Sequence, residues 1–431
     1  MLRALAYRNY RLFFGGQVVS LVGTWITTTA TNWLVYRLTG SALLLGVVGF
    51  AGQFPAFVLG PFTGIVVDRL DRHRLLLITQ TISMLQSFAL AALVLSGRIT
   101  LEWIVVLSVV QGIVNAFDMP ARQSFVLTMV ENKADLGNAI ALNSSMVTLA
   151  RLVGPSIAGV VIAATNEGWC FLLDGISYVA VIVALLQMRI ARPAAPPATR
   201  RSALHQFTEG FVYAFGFRPI RSIILLLAIV SLVGVPYTVM MPVFAATVFR
   251  GGPHTLGILM TSSGFGALCG ALWLAQRQSV VGLGRIIPMA SALFGAGLIA
   301  FSFTHVLWLA IPCLVVAGFG FMVQMASSNT VIQTIVDDEK RGRVMGFYMM
   351  AFLGTAPFGS LLAGWLSSRI GAPQTLFVGG VCCILGALWF ASALPAIRSA
   401  IRPIYVRLGI LPEMATGLAN AAELSVPPEQ G

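Results

Sequence analysis

Long apolar blocks, broken only by short charged turns, constrain this chain more than any other feature. They fall at 12–37, 42–67, 75–97, 101–121, 136–164 and 169–189, then at 220–248, 255–276, 284–303, 306–334, 343–368 and 373–396. About 20 apolar residues in helical form cross the hydrocarbon core of a bilayer. Soluble domains of the same total length would not carry 57% hydrophobic residues beside 10% charged ones. The alternating segments of a transmembrane barrel, about ten residues each, are absent. The predicted class is an all-α polytopic membrane protein with twelve transmembrane helices, and the predicted activity is transport, not catalysis. The first block holds Arg11, Gln17 and Asn32 and lacks a small-residue cleavage site, so it reads as a spanning helix, not a signal peptide.

Charge placement predicts orientation. Arg151 lies inside the fifth block. Of the other Lys and Arg residues, only Arg37, Arg98, Arg250 and Arg369 fall on one side of the twelve blocks. That asymmetry places both termini in the cytoplasm. Trp33, Trp103, Trp169 and Trp308 fall near the outer edge, as interfacial anchors do. Topology and anionic lipid account for the net charge of +12, so no nucleic-acid partner is needed.

The insert RIARPAAPPATRRS…, at 190–218, divides the blocks six and six. The predicted organisation is a bundle over 1–190, a cytoplasmic linker over 191–218, a second bundle over 219–397 and a flexible cytoplasmic tail over 398–431. Within the linker, SALHQFTEGFVYAF has the pattern of a short amphipathic helix lying on the membrane surface. Residues 130–159 and 336–365 share a plan: a charged turn, then a helix ending in a Gly/Pro cluster. A duplicated six-helix unit with a central path is a common transporter plan.

Several residues stand out within this frame. The turn after the second block reads GIVVDRLDRHR, with Gly64, Asp68, Arg69, Asp71, Arg72 and Arg74. Gly64 permits close helix contact, and the charges by themselves read as a stop-transfer turn. Asp118 and Arg122 lie one turn apart near the inner end of the fourth block. An acid at that depth is paired or functional. Gly154, Pro155 and Gly159 in ARLVGPSIAG make a bend and a packing groove. Arg151, near mid-membrane, either lines a cavity for an anionic group or bonds to carbonyls and a polar network; Asp174 is its candidate counter-charge. Gln17, Thr24, Thr28, Thr31 and Asn32 form a polar stripe on the first helix. Gln111, Asn115, Asn143, Tyr237, Gln324 and Asn329 add donors and acceptors at facing positions. Each alone reads as a helix–helix bond; together they suit a large cavity.

The charged turn resembles the G-x-x-x-D-R-x-G-R-R signature of the major facilitator superfamily, departing from it at Asp71 and His73. GPSIAG resembles the G-P-x-x-G signature of that family's exporters, and NAFDMPARQSFV resembles its bacterial drug and siderophore efflux branch, which includes the enterobactin exporter and macrolide efflux pumps. The resemblance implies two pseudo-symmetric six-helix bundles that rock about a central site. It implies an inner gate in which Asp68 meets the start of the eleventh helix near Gly342 and Arg72 pairs with Asp118. It also implies a monomer and proton antiport. Two features of relatives are missing: the fourth-helix arginine, replaced by Ser108, and an acid deep in the first helix.

Cys170, Cys269, Cys313, Cys382 and Cys383 show no metal-ligand spacing, and no phosphate-binding G-x-x-x-x-G-K-[ST] loop occurs. No cofactor is predicted beyond a proton gradient. The predicted function is export of an amphipathic organic compound, a drug or siderophore. The alternatives are a lysophospholipid or other lipid carried through a membrane-open cavity, and a small-anion importer.

Overall fold

The computed structural model describes residues 3–130, 132–188, 203–277 and 279–410, without the side chains of 61, 62, 64–66, 68, 69, 127, 128, 133, 134, 203–207, 338 and 339. Backbone groups inside hydrocarbon must bond within the chain, which favours helix. The helices are α1 (Arg8–Thr39), α2 (Ala42–Arg69), α3 (Arg72–Leu95), α4 (Leu101–Met129), α5 (Lys133–Ala164), α6 (Glu167–Leu186), α7 (Ala203–Gly216), α8 (Arg218–Ile229), α9 (Tyr237–Val243), α10 (Pro253–Ala275), α11 (Leu283–Ser302), α12 (Leu307–Ile335), α13 (Asp338–Met349), α14 (Ala356–Ile370) and α15 (Ala372–Arg407).

Eleven segments among the described residues are long and apolar enough to cross a membrane. The 32-residue α1 has the length but is diluted by its polar residues and is not among the eleven. Two spans are interrupted. Wide π-turns at Val230–Gly234 and Phe244–Val248 bracket α9, and a third at Met350–Gly354 separates α13 from α14. Local chemistry sets the ends. Asp71 accepts hydrogen bonds from the His73 and Arg74 backbones to start α3, and Asn166 accepts from Gly168 to start α6. Gly40, at φ +60°, closes α1 in the left-handed conformation.

In the first half, α1 packs on α5 and α6, α3 on α6 and α4, and α2 on α4; in the second, α12 packs on α10 and α11, and α11 on α15. The halves meet along two seams, α5 against α10 and α2 against α14. The amino end is tied to the start of α5: Ala4 N–H donates to Asn138 (3.0 Å), Tyr7 to Asp135 (2.9 Å) and Tyr10 to the Ala139 carbonyl (2.9 Å). At the opposite end Arg37 forks onto the buried Glu167 at 2.7 and 2.9 Å, a bidentate pair the sequence reading did not single out. Trp103, Trp169 and Trp308 are exposed near that end, whereas Trp33 is buried.

One expectation is corrected. The tail does not become irregular at 398: α15 continues to Arg407, because Ile397, Ile401 and Tyr405 give it a buried stripe. The linker helix, α7, packs against α13 and leaves Phe211 and Val212 exposed. Phe211 and Phe215 stack at 4.6 Å and both meet Phe347 edge-on, Glu209 pairs with Arg343 at 2.6 Å, and Lys340 sits 4.3 Å from the Tyr213 ring centroid. Burial first, then the charge of Asp337, raises the Tyr213 phenol above its ordinary range. The aromatic contact dominates this joint. Arg343→Ala is expected to cost less than about 1 kcal/mol, since both charges are partly solvated. Phe347→Ala is expected to cost about 3 kcal/mol, seen as a clear loss of thermal stability in detergent where the arginine variant melts like the parent.

Candidate functional site

Both seams are tight toward the end away from the amino terminus. A Cβ at Gly159 would lie 2.9 Å from the Pro253 carbonyl oxygen and 3.1 Å from Gly257 Cα; only hydrogen fits there. Ser156 and Thr261 bond across the same seam at 2.5 Å. On the other seam, Gly46 backs onto the Ser360 carbonyl, and Phe358 meets Phe50, Phe54 and Phe57 edge-on at 5.4–6.3 Å. Glycines nearer the amino-terminal end are mixed: Gly354 presses on Phe57 (a Cβ would lie at 2.8 Å), whereas others have space. A Cβ at Gly60, Gly137, Gly342 or Gly346 would meet no atom of the described residues within 4 Å.

Arg151 sits on α5 along the α5–α10 seam. Gly154, one turn on, presses α5 against α1, and Gly264 presses α10 against the Arg151 and Leu152 backbone. The Arg151 guanidinium lies 5.6 Å from the Trp25 ring centroid and 5.6 Å from that of Phe321. One ring belongs to each half. Each such contact contributes about 0.5–2 kcal/mol, which is how a mid-membrane cation is held here. Neither ring was singled out by sequence reasoning, for a Trp or Phe in an apolar helix carries no mark of its partner.

Asp174 is not the counter-charge of Arg151. It is buried in the first half, where Thr27 and Ser87 donate to Oδ2 at 2.9 and 2.8 Å and Ser177 lies 3.5 Å from Oδ1. Gly23 leaves room for it, since a Cβ there would lie 2.5 Å from Oδ1. Small hydroxyls on α1, α3 and α6 thus satisfy the carboxylate where no arginine reaches.

Asp118 is also buried. Thr79 and Gln80 donate to Oδ1 at 2.9 and 2.7 Å, and Arg122 pairs with Oδ2. Arg122, one turn along α4, is thus an i,i+4 partner of Asp118 on its own helix. Arg74 is 3.8 Å from Asp71. The side chains of Gly64, Asp68 and Arg69 lie outside the described residues, and so does the expected meeting of Asp68 with α13.

The polar positions divide. Thr28 and Asn115 are exposed, and Thr24, Thr31, Asn32, Asn143 and Asn329 are half-buried. Thr24 and Thr28 bond to the carbonyls of Ser20 and Thr24 on their own helix. Gln17, Tyr237 and Gln324 are buried and do not line an open cavity. Gln111 donates to Ser83 and Asn115, and Tyr237 bonds Ser263. Pro155 faces Gly257 across the closed seam.

The sequence pattern of the transmembrane secretion effector family matches residues 2–405. The chain is 28% identical over 385 residues to a staphyloferrin A transporter of Staphylococcus aureus, covering 88% of this chain and 95% of that one. It is 29% identical over 362 residues to the multidrug efflux pump Tap of Mycolicibacterium fortuitum, covering 82% and 88%. Among solved structures it resembles a bacterial homolog of the human lysosomal transporter Spinster in an inward-facing, unoccupied conformation, with a TM-score of 0.72, 16% identity, and 91% and 98% of the two chains covered.

Proposed function

Because the chain belongs to the transmembrane secretion effector family, within the major facilitator transporters, we propose that it exports an amphipathic organic compound, a drug or siderophore, in exchange for protons. In this reading it is a monomer in the bacterial inner membrane with both termini cytoplasmic. Twelve spans form two six-helix halves, 1–190 and 219–397, joined by the 191–218 linker. The observation that supports the reading best is Arg151 held between Trp25 and Phe321, one ring on each side of the α5–α10 seam. A cargo with an apolar body and a polar or anionic end can displace one ring and engage the guanidinium, and the halves then rock about it. Relatives named for a single compound and for many drugs fit a mostly apolar path with few polar contacts, which discriminates weakly among similar molecules.

A second reading has its own support. An apolar groove of about 460 Å³ runs beside the α5–α10 seam, lined by Ser156, Val160, His254, Ile258, Thr261 and Phe265. Val160, Ile258 and Phe265 are exposed there. A lipid tail fits such a surface.

The test uses purified protein in sealed liposomes, with a panel of cationic dyes, macrolides, catecholate siderophores and lysolipids. Cargo-dependent proton movement is expected from the parent, and Arg151→Ala is expected to lower it about tenfold, the loss of roughly two cation–π contacts. Cargo movement without proton flux rejects antiport, and lysolipid as the sole moving compound selects the second reading.

A further inference from the structure

The core of the first half is more polar than packing requires. Gln17 and Ser20 on α1, Thr79, Gln80, Ser83, Gln86 and Ser87 on α3, Asp118 on α4, and Asp174 and Ser177 on α6 are all buried. The described buried carboxylates are Asp118, Glu167 and Asp174, all in this half. Two of them bracket α3. Ser87 donates to Asp174 and Thr79 to Asp118, eight residues apart, or about 12 Å along the helix. Ser83 lies midway between and accepts from Gln111 at 3.2 Å. Tyr178, one turn along α6 from Asp174, is buried in the same core.

Four polar atoms along this line have no partner among the described residues: Gln17 Nε2, Gln80 Oε1, Gln111 Oε1 and Arg122 Nε. Each buried atom left so costs about 1–3 kcal/mol, and native cores answer such sets with internal water. Donors and acceptors are both represented, so water can bridge them.

We propose that the interior of the first half is a proton relay, in which Asp174, Ser87, Tyr178, Ser83, Thr79 and internal waters connect to Asp118 along α3, with the Gln80 amide orienting Asp118, apart from the cargo path at Arg151. It rests on the proton-exchange reading above. A proton taken up by the Asp174 carboxylate moves by successive hops. Each hydroxyl or water gives its proton forward and receives one from behind, and one proton leaves at Asp118 for each that arrives. Among the described residues, charged or titratable groups around this core include Arg72 at the start of α3, Arg122 beside Asp118, His73, whose Nε2 lies 2.8 Å from the Leu185 carbonyl oxygen, and the Arg37–Glu167 pair at the far end.

Two measurements test it on the full chain. Radiolytic hydroxyl labelling of the purified protein needs no cargo. Tyr178 is expected to label as strongly as an exposed tyrosine despite its 5% exposure, because water stands beside it. An unlabelled Tyr178 means a dry core and overturns the relay whatever the flux. In the liposome assay, Tyr178→Phe and Ser83→Ala are expected to keep gradient-free cargo exchange, which reports a folded transporter, and to lose about tenfold in proton-coupled accumulation, one hydrogen bond's contribution. Parent-like coupling in both variants overturns the relay and leaves antiport standing. A parent that moves cargo without protons removes both.

Discussion

A Gly159→Leu chain is expected to stop transporting while remaining folded. The Cβ alone would lie 2.9 Å from the Pro253 carbonyl oxygen, and backbone, unlike a side-chain tip, cannot step aside. Overpacking of this kind costs about 1–3 kcal/mol, and the cost falls only on the arrangement in which α5 and α10 touch. The population of that arrangement should fall about ten- to a hundred-fold. A cleft of about 500 Å³ at the closed end, lined by Tyr36, Ser41, Thr247 and Ser368, gives the readout. With the five native cysteines replaced, maleimide labelling of Thr247→Cys is expected to rise as transport falls. Gly159→Ala should lie between leucine and parent. Unchanged labelling with normal transport would mean that this seam is not what closes the path.

The second large effect is on stability. Asp118→Ala removes the acceptor of Arg122, Thr79 and Gln80 together. Stranding a buried cation costs about 3–5 kcal/mol. The Arg122 side chain keeps 22% exposure, so the lower end applies. Asp118→Asn keeps the oxygen and loses the charge, and should fall between. The informative comparison is Asp118→Ala with Arg122→Leu. If the charge pair is the cause, the double variant survives heating in detergent better than Asp118→Ala alone. A double variant worse than both singles would place the cost in packing instead.

The helical blocks were legible because hydrophobic length is a strong signal; Arg8–Thr39 and Leu307–Ile335 differ from 12–37 and 306–334 by a few residues. The Gly154–Pro155–Gly159 groove was legible too, since small residues at that spacing have few uses but close approach. Partners were not. Asp174 and Asp118 stood out as costly charges, yet the groups that meet them, Thr27, Ser87, Thr79 and Gln80, are ordinary in sequence and come from other helices. Arg151 was visible and its rings were not. The linker helix was visible as amphipathic, but its contact with Phe347 on α13 was not, since an aromatic face fits a membrane and a protein neighbour equally. The π-turns left no mark, since one extra residue per turn does not change the composition of an apolar helix.

Those π-turns separate the two halves in kind. Among the described residues they occur only at Val230–Gly234, Phe244–Val248 and Met350–Gly354, all in the second half. Two of them are joined directly, for the Ser231 hydroxyl donates to the Phe352 carbonyl at 2.5 Å. A widened turn bends at less cost than regular helix, and this bond makes the spans on either side of it yield in step. The first half has uninterrupted spans cross-braced by side-chain hydrogen bonds. The widened turns therefore gather on one side of the α5–α10 and α2–α14 seams, facing helices of regular pitch on the other.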